Sequence, residues 1–221
     1  MYIFWLIFFR DLKVAFKSKQ ELLTPYVFFL IVSSMIPLAI GPISWDTPII
    51  GIGFIWIAIL LSSLMVMDSL FRTDINDGSI DRFLILPYSF SFVVLAKIFA
   101  HWVVSCLSLI ILAPIVAISF GLPSTKALFL ALIIFLTTPA ISIFVAIGSA
   151  LTASSHKGSV LIGLLVLPLV SPILIFATHA STLIINGESI IGPLYMLTAI
   201  SIFAITFGPL ICSASLKASL E

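Results

Sequence analysis

ALFLALIIFLTTPAISIFVAIGSALTASSH, residues 127–156, contains no Asp, Glu, Lys or Arg. At a rise of about 1.5 Å per residue, such a run gives a helix longer than the roughly 30 Å hydrocarbon core of a bilayer. Five further stretches are equally free of charge: 22–45, 47–67, 98–125, 158–187 and 189–216. Each holds at least the roughly 20 residues that a helical crossing needs. Lipid offers no partner to a backbone N–H or C=O, so segments of this length cross as helices. The pattern predicts an all-α polytopic membrane protein with six transmembrane helices.

Composition agrees. Of the 221 residues, 62% are hydrophobic and 9% charged. An ordinary soluble domain has roughly 45–50% and 25%. Mean hydropathy is +1.33. This excludes a water-soluble globule, and so apolar a chain does not stay disordered. A net charge of +1 leaves no basic footprint for nucleic acid. Cys106 and Cys212 lie far apart in apolar runs, without CxxC or metal-ligand spacing, and read as small buried hydrophobes.

The basic residues set an expected orientation. With the N-terminus inside, nine of the ten Lys and Arg fall in inner segments, and only Lys126 is outside. Both termini are then cytoplasmic. Met1–Phe9 is too short to cross, and its apolar part precedes the charges, unlike a secretory signal. Residues 1–21 read as an interfacial helix, with Arg10, Lys13 and Lys17 on one face and Trp5 as an interface anchor. The fifth and sixth stretches exceed two simple crossings. Two readings stay open: a re-entrant element near 178–195, or two long tilted helices joined by a tight turn. Pro37, Pro114, Pro139, Pro168, Pro172 and Pro209 recur within the spans, as kinked helices allow.

Residues 68–97, DSLFRTDINDGSIDRFLILPYSFSFVVLAK, form the one sizeable hydrophilic segment, expected as a cytoplasmic loop. Asn76-Asp77-Gly78 signals a turn, Ser79 is expected to cap a short helix, and Pro87 to end it. Ile80, Phe83 and Leu84 would share one side of that helix, away from Asp81 and Arg82. Such an element suits transmission of motion from a cytosolic partner, although a plain solvated loop fits the pattern too.

No phosphate loop, HExxH, GxSxG or calcium loop occurs in the sequence. The spans as delimited hold no acidic or basic side chain, against the habit of proton-driven carriers. Energy is therefore expected from another polypeptide, and the chain itself is expected to be non-catalytic. His156 beside Lys157 reads as solvated. His101, followed by Trp102, and His179 are the candidate contacts for a haem or other cargo, each more ordinary as an interfacial hydrogen-bonding residue.

Phe71-Arg72, Asp77-Gly78-Ser79, Leu86-Pro87, Val94-Leu95-Ala96-Lys97 and Ala100-His101-Trp102 resemble the signature stretch of the haem exporter protein B family. This is the permease subunit of the cytochrome c maturation ABC system. Phe28-Phe29-Leu30-Ile31-Val32, Pro37-Leu38-Ala39-Ile40-Gly41-Pro42, Leu165-Val166-Leu167-Pro168-Leu169 and Leu174-Ile175-Phe176-Ala177-Thr178 extend the resemblance over the chain. Asp68 stands where the family is expected to carry Glu.

The resemblance implies one transmembrane permease domain over 1–221, of ABC-2 exporter architecture, in a bacterial inner membrane or, less expectedly, a mitochondrial one. It implies a permease homodimer on two ABC ATPase subunits that bind the ATP. The further partners implied are a haem-handling membrane subunit with a tryptophan-rich motif, a small single-span subunit and a periplasmic haem chaperone. Trp5, Trp45, Trp56 and Trp102 are scattered here, so the tryptophan-rich motif belongs to another chain. The loop between spans two and three would dock on the ATPase through Phe71, Arg72, Asp74, Asp77, Gly78, Ser79, Asp81, Arg82 and Phe83. No tightly bound cofactor is expected, and haem would be transient cargo. The chain would couple ATP hydrolysis to release of the haem-loaded chaperone. Direct haem translocation and a non-moving scaffold are the alternatives.

Overall fold

A computed structural model describes residues 2–40, 48–67, 69–85, 87–153 and 158–220. Among these, regular structure is entirely helical. The helices are α1 (Tyr2–Lys17), α2 (Lys19–Ile40), α3 (Pro48–Met67), α4 (Ser69–Asn76), α5 (Ser79–Ile85), α6 (Phe90–Ser105), α7 (Leu107–Ser119), α8 (Ser124–Thr152), α9 (Gly158–Asn186) and α10 (Ile191–Leu220). Among the described residues, five helical segments are long and apolar enough to cross a membrane: Pro48–Asn76, Phe90–Ser119, Ser124–Thr152, Leu164–Asn186 and Ile191–Ala218. The first expected span corresponds to α2, with a shorter apolar stretch at Leu23–Met35. Its end at 41–45 lies outside the described residues, as do Asp68, Leu86, His156 and Lys157.

The central helix is α8. Leu130, Ile133, Ile134, Ala140, Ile141, Val145 and Ala146 are all buried along it. Small residues let neighbouring backbones approach closely. At Gly208 of α10 an added Cβ would collide with Ile143 Cγ2 of α8, so the glycine lets the two helices approach closely. Ser201 Oγ of α10 donates to the Leu136 carbonyl of α8. Large apolar side chains such as Leu164, Ile175, Ile202 and Phe203 point outward, as a surface solvated by lipid requires.

The end of α9 decides between the two readings of 178–195. Gly187 has φ +76°, Glu188 N–H donates to the Leu183 carbonyl at 2.9 Å and Gly187 N–H to Ile184 at 3.2 Å. This is a glycine-terminated helix cap. Lys126 Nζ adds a 2.7 Å hydrogen bond to the Ile185 carbonyl, satisfying another terminal acceptor. Two continuous helices and a tight turn result, not a broken element.

One expected boundary is wrong. Lys97 was expected to end a hydrophilic loop, but α6 starts at Phe90 and Lys97 lies within the apolar segment Phe90–Ser119. A ruler based on charge-free runs stops at any charge, while a helix continues through a charge whose partners come from neighbouring elements. The helix therefore begins before the charge-free run 98–125 that is expected to cross.

Candidate functional site

Lys97 is 6% exposed. A buried ammonium needs counter-charges. It has two: Asp11 Oδ2 of α1 at 3.0 Å, and the carboxylate of Asp74 in α4. Arg10 closes the cluster. Its Nη2 lies 2.7 Å from Asp11 Oδ1 and 3.6 Å from Asp74 Oδ1. Its guanidinium carbon stands 5.0 Å from the ring centroid of Phe83 in α5, a cation–π contact. Two cations and two anions thus join α1, α4, α5 and α6 at the basic end of the bundle.

Aromatic packing supports the join. Phe8 and Phe4 of α1 lie 5.5 and 6.3 Å from the Phe99 ring of α6. Phe99 stacks on Trp102, whose Nε1 donates to Thr138 Oγ1 of α8 at 3.1 Å. Beside the ion pairs is a half-open cleft of about 340 Å³, lined by Arg10, Asp11, Asp74, Asp77, Lys97 and His101 among others.

The hydrophilic segment folds as two short helices rather than one. In α4, Phe71 and Asp74 are buried. The turn at Asn76-Asp77-Gly78 is as read: Gly78 takes φ +71°. Ser79, expected before the helix, is its first residue, and Asp77 Oδ1 accepts the Ser79 N–H at 2.9 Å, an Asx turn leading into α5. Hydrogen bonds from the Ser79 hydroxyl and then its N–H hold the Asp77 carboxyl below its ordinary range. The Asx turn is therefore complete above the usual carboxylate pKa and is lost as pH falls through the lowered value. Asp77, Asp81 and Arg82 are exposed. Ile80 is buried and Phe83 half-buried, while Leu84, expected on the same side, is exposed.

The expected site residues therefore divide. Phe71 and Asp74 anchor the hairpin inward. Asp77, Asp81 and Arg82 face outward, with Arg72, Gly78, Ser79 and Phe83 between these extremes. His101 lines the cleft and its Nδ1 lies 3.2 Å from Ser105 Oγ. Trp102 is buried, and His179 is exposed on α9, away from the cleft lining. Among the described residues no three His, Cys, Asp or Glu side chains converge as a metal site. Sequence reasoning missed Arg10, Asp11 and Lys97 as site residues. Their signal was Lys97 itself, a lone charge inside an otherwise apolar helical run with acids on two other elements to meet it.

A family model described as CcmB protein matches residues 2–219. The chain belongs to the CcmB protein family. The family expected from Phe71-Arg72 and the companion stretches is thus the one that the match gives. Proteins named Heme exporter protein B are similar over nearly their whole length. That of Escherichia coli K12 is 41% identical over 219 residues, covering 99% of this chain and 100% of the relative. That of Haemophilus influenzae is 39% identical over 221 residues, 99% of each chain. That of Pseudomonas aeruginosa is 37% identical over 217 residues, 98% of this chain and 97% of the relative. With its long apolar helices, this CcmB family member is a multi-pass membrane protein of bacterial kinship.

Proposed function

We propose that this chain is the membrane permease subunit of an ATP-driven complex for haem export in cytochrome c maturation. It couples hydrolysis by a separate ATPase to release of a haem-loaded chaperone on the far side of the membrane. The name shared by the full-length relatives supports the haem assignment. The observation that carries the coupling role is the α4–α5 hairpin. It presents Asp77, Asp81 and Arg82 to solvent while Phe71, Asp74 and the Arg10–Phe83 contact fix it to the bundle. In this reading there are six spans, both termini are cytoplasmic in a bacterial inner membrane, and α1 lies in the interface with Trp5, Leu6 and Phe9 exposed. Release is favoured over passage of haem through this chain, because the two candidate axial ligands do not share a site: His101 lines the cleft and His179 does not.

The test uses the assembled complex with its ATPase and chaperone. Asp81→Ala and Arg82→Ala should leave assembly intact, lower ATP turnover or its response to the chaperone, and leave loaded chaperone held on the membrane complex. Wild-type turnover and release in both variants would remove the coupling role and leave a scaffold. Accumulation of cytoplasmic haem with empty chaperone would replace release by direct translocation.

A further inference from the structure

Helix α1 divides into three lengthwise sectors. At about 100° per residue, Ile3, Phe4, Ile7, Phe8, Asp11 and Ala15 share one side. Ile7 and Phe8 are buried, Phe4 and Phe8 meet Phe99, and Asp11 pairs with Lys97. This side faces the bundle. Trp5, Phe9 and Phe16 fall within about 40° of one another on a second side, and all three are exposed. Trp5 and Phe9 stack at 5.7 Å into one apolar surface. The bundle leaves this aromatic edge uncovered, and such edges lie at the boundary of a bilayer.

Arg10, Lys13 and Lys17 make the third sector, about 60° wide and next to the aromatic one. Leu6 interrupts it only at its N-terminal end. No acid falls in it, because Asp11 is the single acid of α1 and is turned to the bundle. Arg10 is already balanced by Asp11. Lys13 and Lys17 are exposed, and among the described residues neither belongs to an ion pair. They stand four residues apart, about 6 Å along the axis. With the aromatic side in hydrocarbon, the two ammonium groups lie at the level of lipid headgroups.

We propose that α1 is a docking edge for acidic phospholipids, its aromatic side taking the acyl chains and Lys13 and Lys17 the phosphodiesters. The inference rests on the reading of α1 as an interfacial helix. Phosphatidylcholine carries its own ammonium beside its phosphate and offers the lysines no net charge. Phosphatidylglycerol offers one negative charge. Each lysine at an acidic surface contributes about fivefold to binding, so the pair gives about 25-fold at low salt and less as salt screens it. The same helix holds Asp11 against Lys97 and Arg10 against Asp74 and Phe83, so an acidic leaflet steadies the base of the α4–α5 hairpin.

Native mass spectrometry of the full chain and of the assembled complex, titrated with each lipid, tests this. Phosphatidylglycerol should bind the more tightly in both. Lys13→Gln combined with Lys17→Gln should cut that preference by about tenfold or more. Lys217→Gln, at the exposed end of α10, should keep it. An unchanged preference in the double variant would overturn the proposal. So would displacement of the lipid by glycerol phosphate in solution, which makes the site one for free phosphate. So would loss of the preference on assembly, which places an acidic partner chain on the edge. A bimane label on F16C separates this inference from the reading beneath it, since the native Cys106 and Cys212 are buried. If brominated phosphatidylcholine quenches the label but phosphatidylglycerol is not preferred, only the acidic-lipid edge falls. If the label is not quenched, the interfacial placement of α1 falls with it.

Discussion

Lys97 is the single Lys, Arg, Asp or Glu of α6, and its ammonium depends on two carboxylates from other elements. Removing one member of a buried ion cluster strands the rest, at about 3–5 kcal/mol. Lys97→Met should therefore lower the thermal unfolding temperature of the purified protein in detergent, and Asp74→Asn added to it should recover part of the loss. Loss of stability no larger than that of a surface lysine such as Lys13→Met would show the cluster to be energetically idle. The same residue marks what sequence could and could not disclose. Spans were legible because apolar length is a local property. The partners of a charge are not local: Asp11 and Asp74 lie 86 and 23 positions away, and nothing in the chain's periodicity ties them to Lys97. Both cysteines, by contrast, are buried and free, as their apolar surroundings implied.

At the level of elements, turn chemistry was readable and helix onset less so. Asn76-Asp77-Gly78 demanded a turn because glycine alone adopts positive φ without strain. The onset of α5 falls at Ser79 rather than after it, because the Asp77 carboxylate already satisfies the Ser79 N–H in an Asx turn. Helix α4 went unread, since the charges of Arg72 and Asp74 hide the apolar Leu70 and Phe71 between them and the third helix. The contact of α8 with α10 had no sequence signature beyond a lone glycine. Gly208→Ala should cost about 1–3 kcal/mol by overpacking against Ile143. Thermal unfolding in detergent would measure it, and Gly208→Ala combined with Ile143→Ala should be more stable than Gly208→Ala alone. If Gly208→Ala unfolds at the wild-type temperature, the two helices are not in the close contact described.

For the molecule as a whole, the asymmetry of basic residues was the most informative global feature of the sequence. A topology reporter must respect the packing. Ser181 is buried, accepts a 3.0 Å hydrogen bond from Trp56 Nε1 and cannot carry a label harmlessly. Glu188 is exposed in the turn between α9 and α10 and can. In intact cells E188C should react with a membrane-impermeant maleimide, and K13C should react only after lysis. The reverse pattern would invert the orientation and remove the hairpin from the side where nucleotide is available.

The Arg10–Asp11–Asp74–Lys97 group sums to zero. A solitary ammonium carried through the whole transmembrane voltage would exchange about 2.3 kcal/mol per 100 mV with the field. A balanced quartet displaced as one body exchanges almost nothing. An energised membrane therefore neither assists nor opposes displacement of this unit.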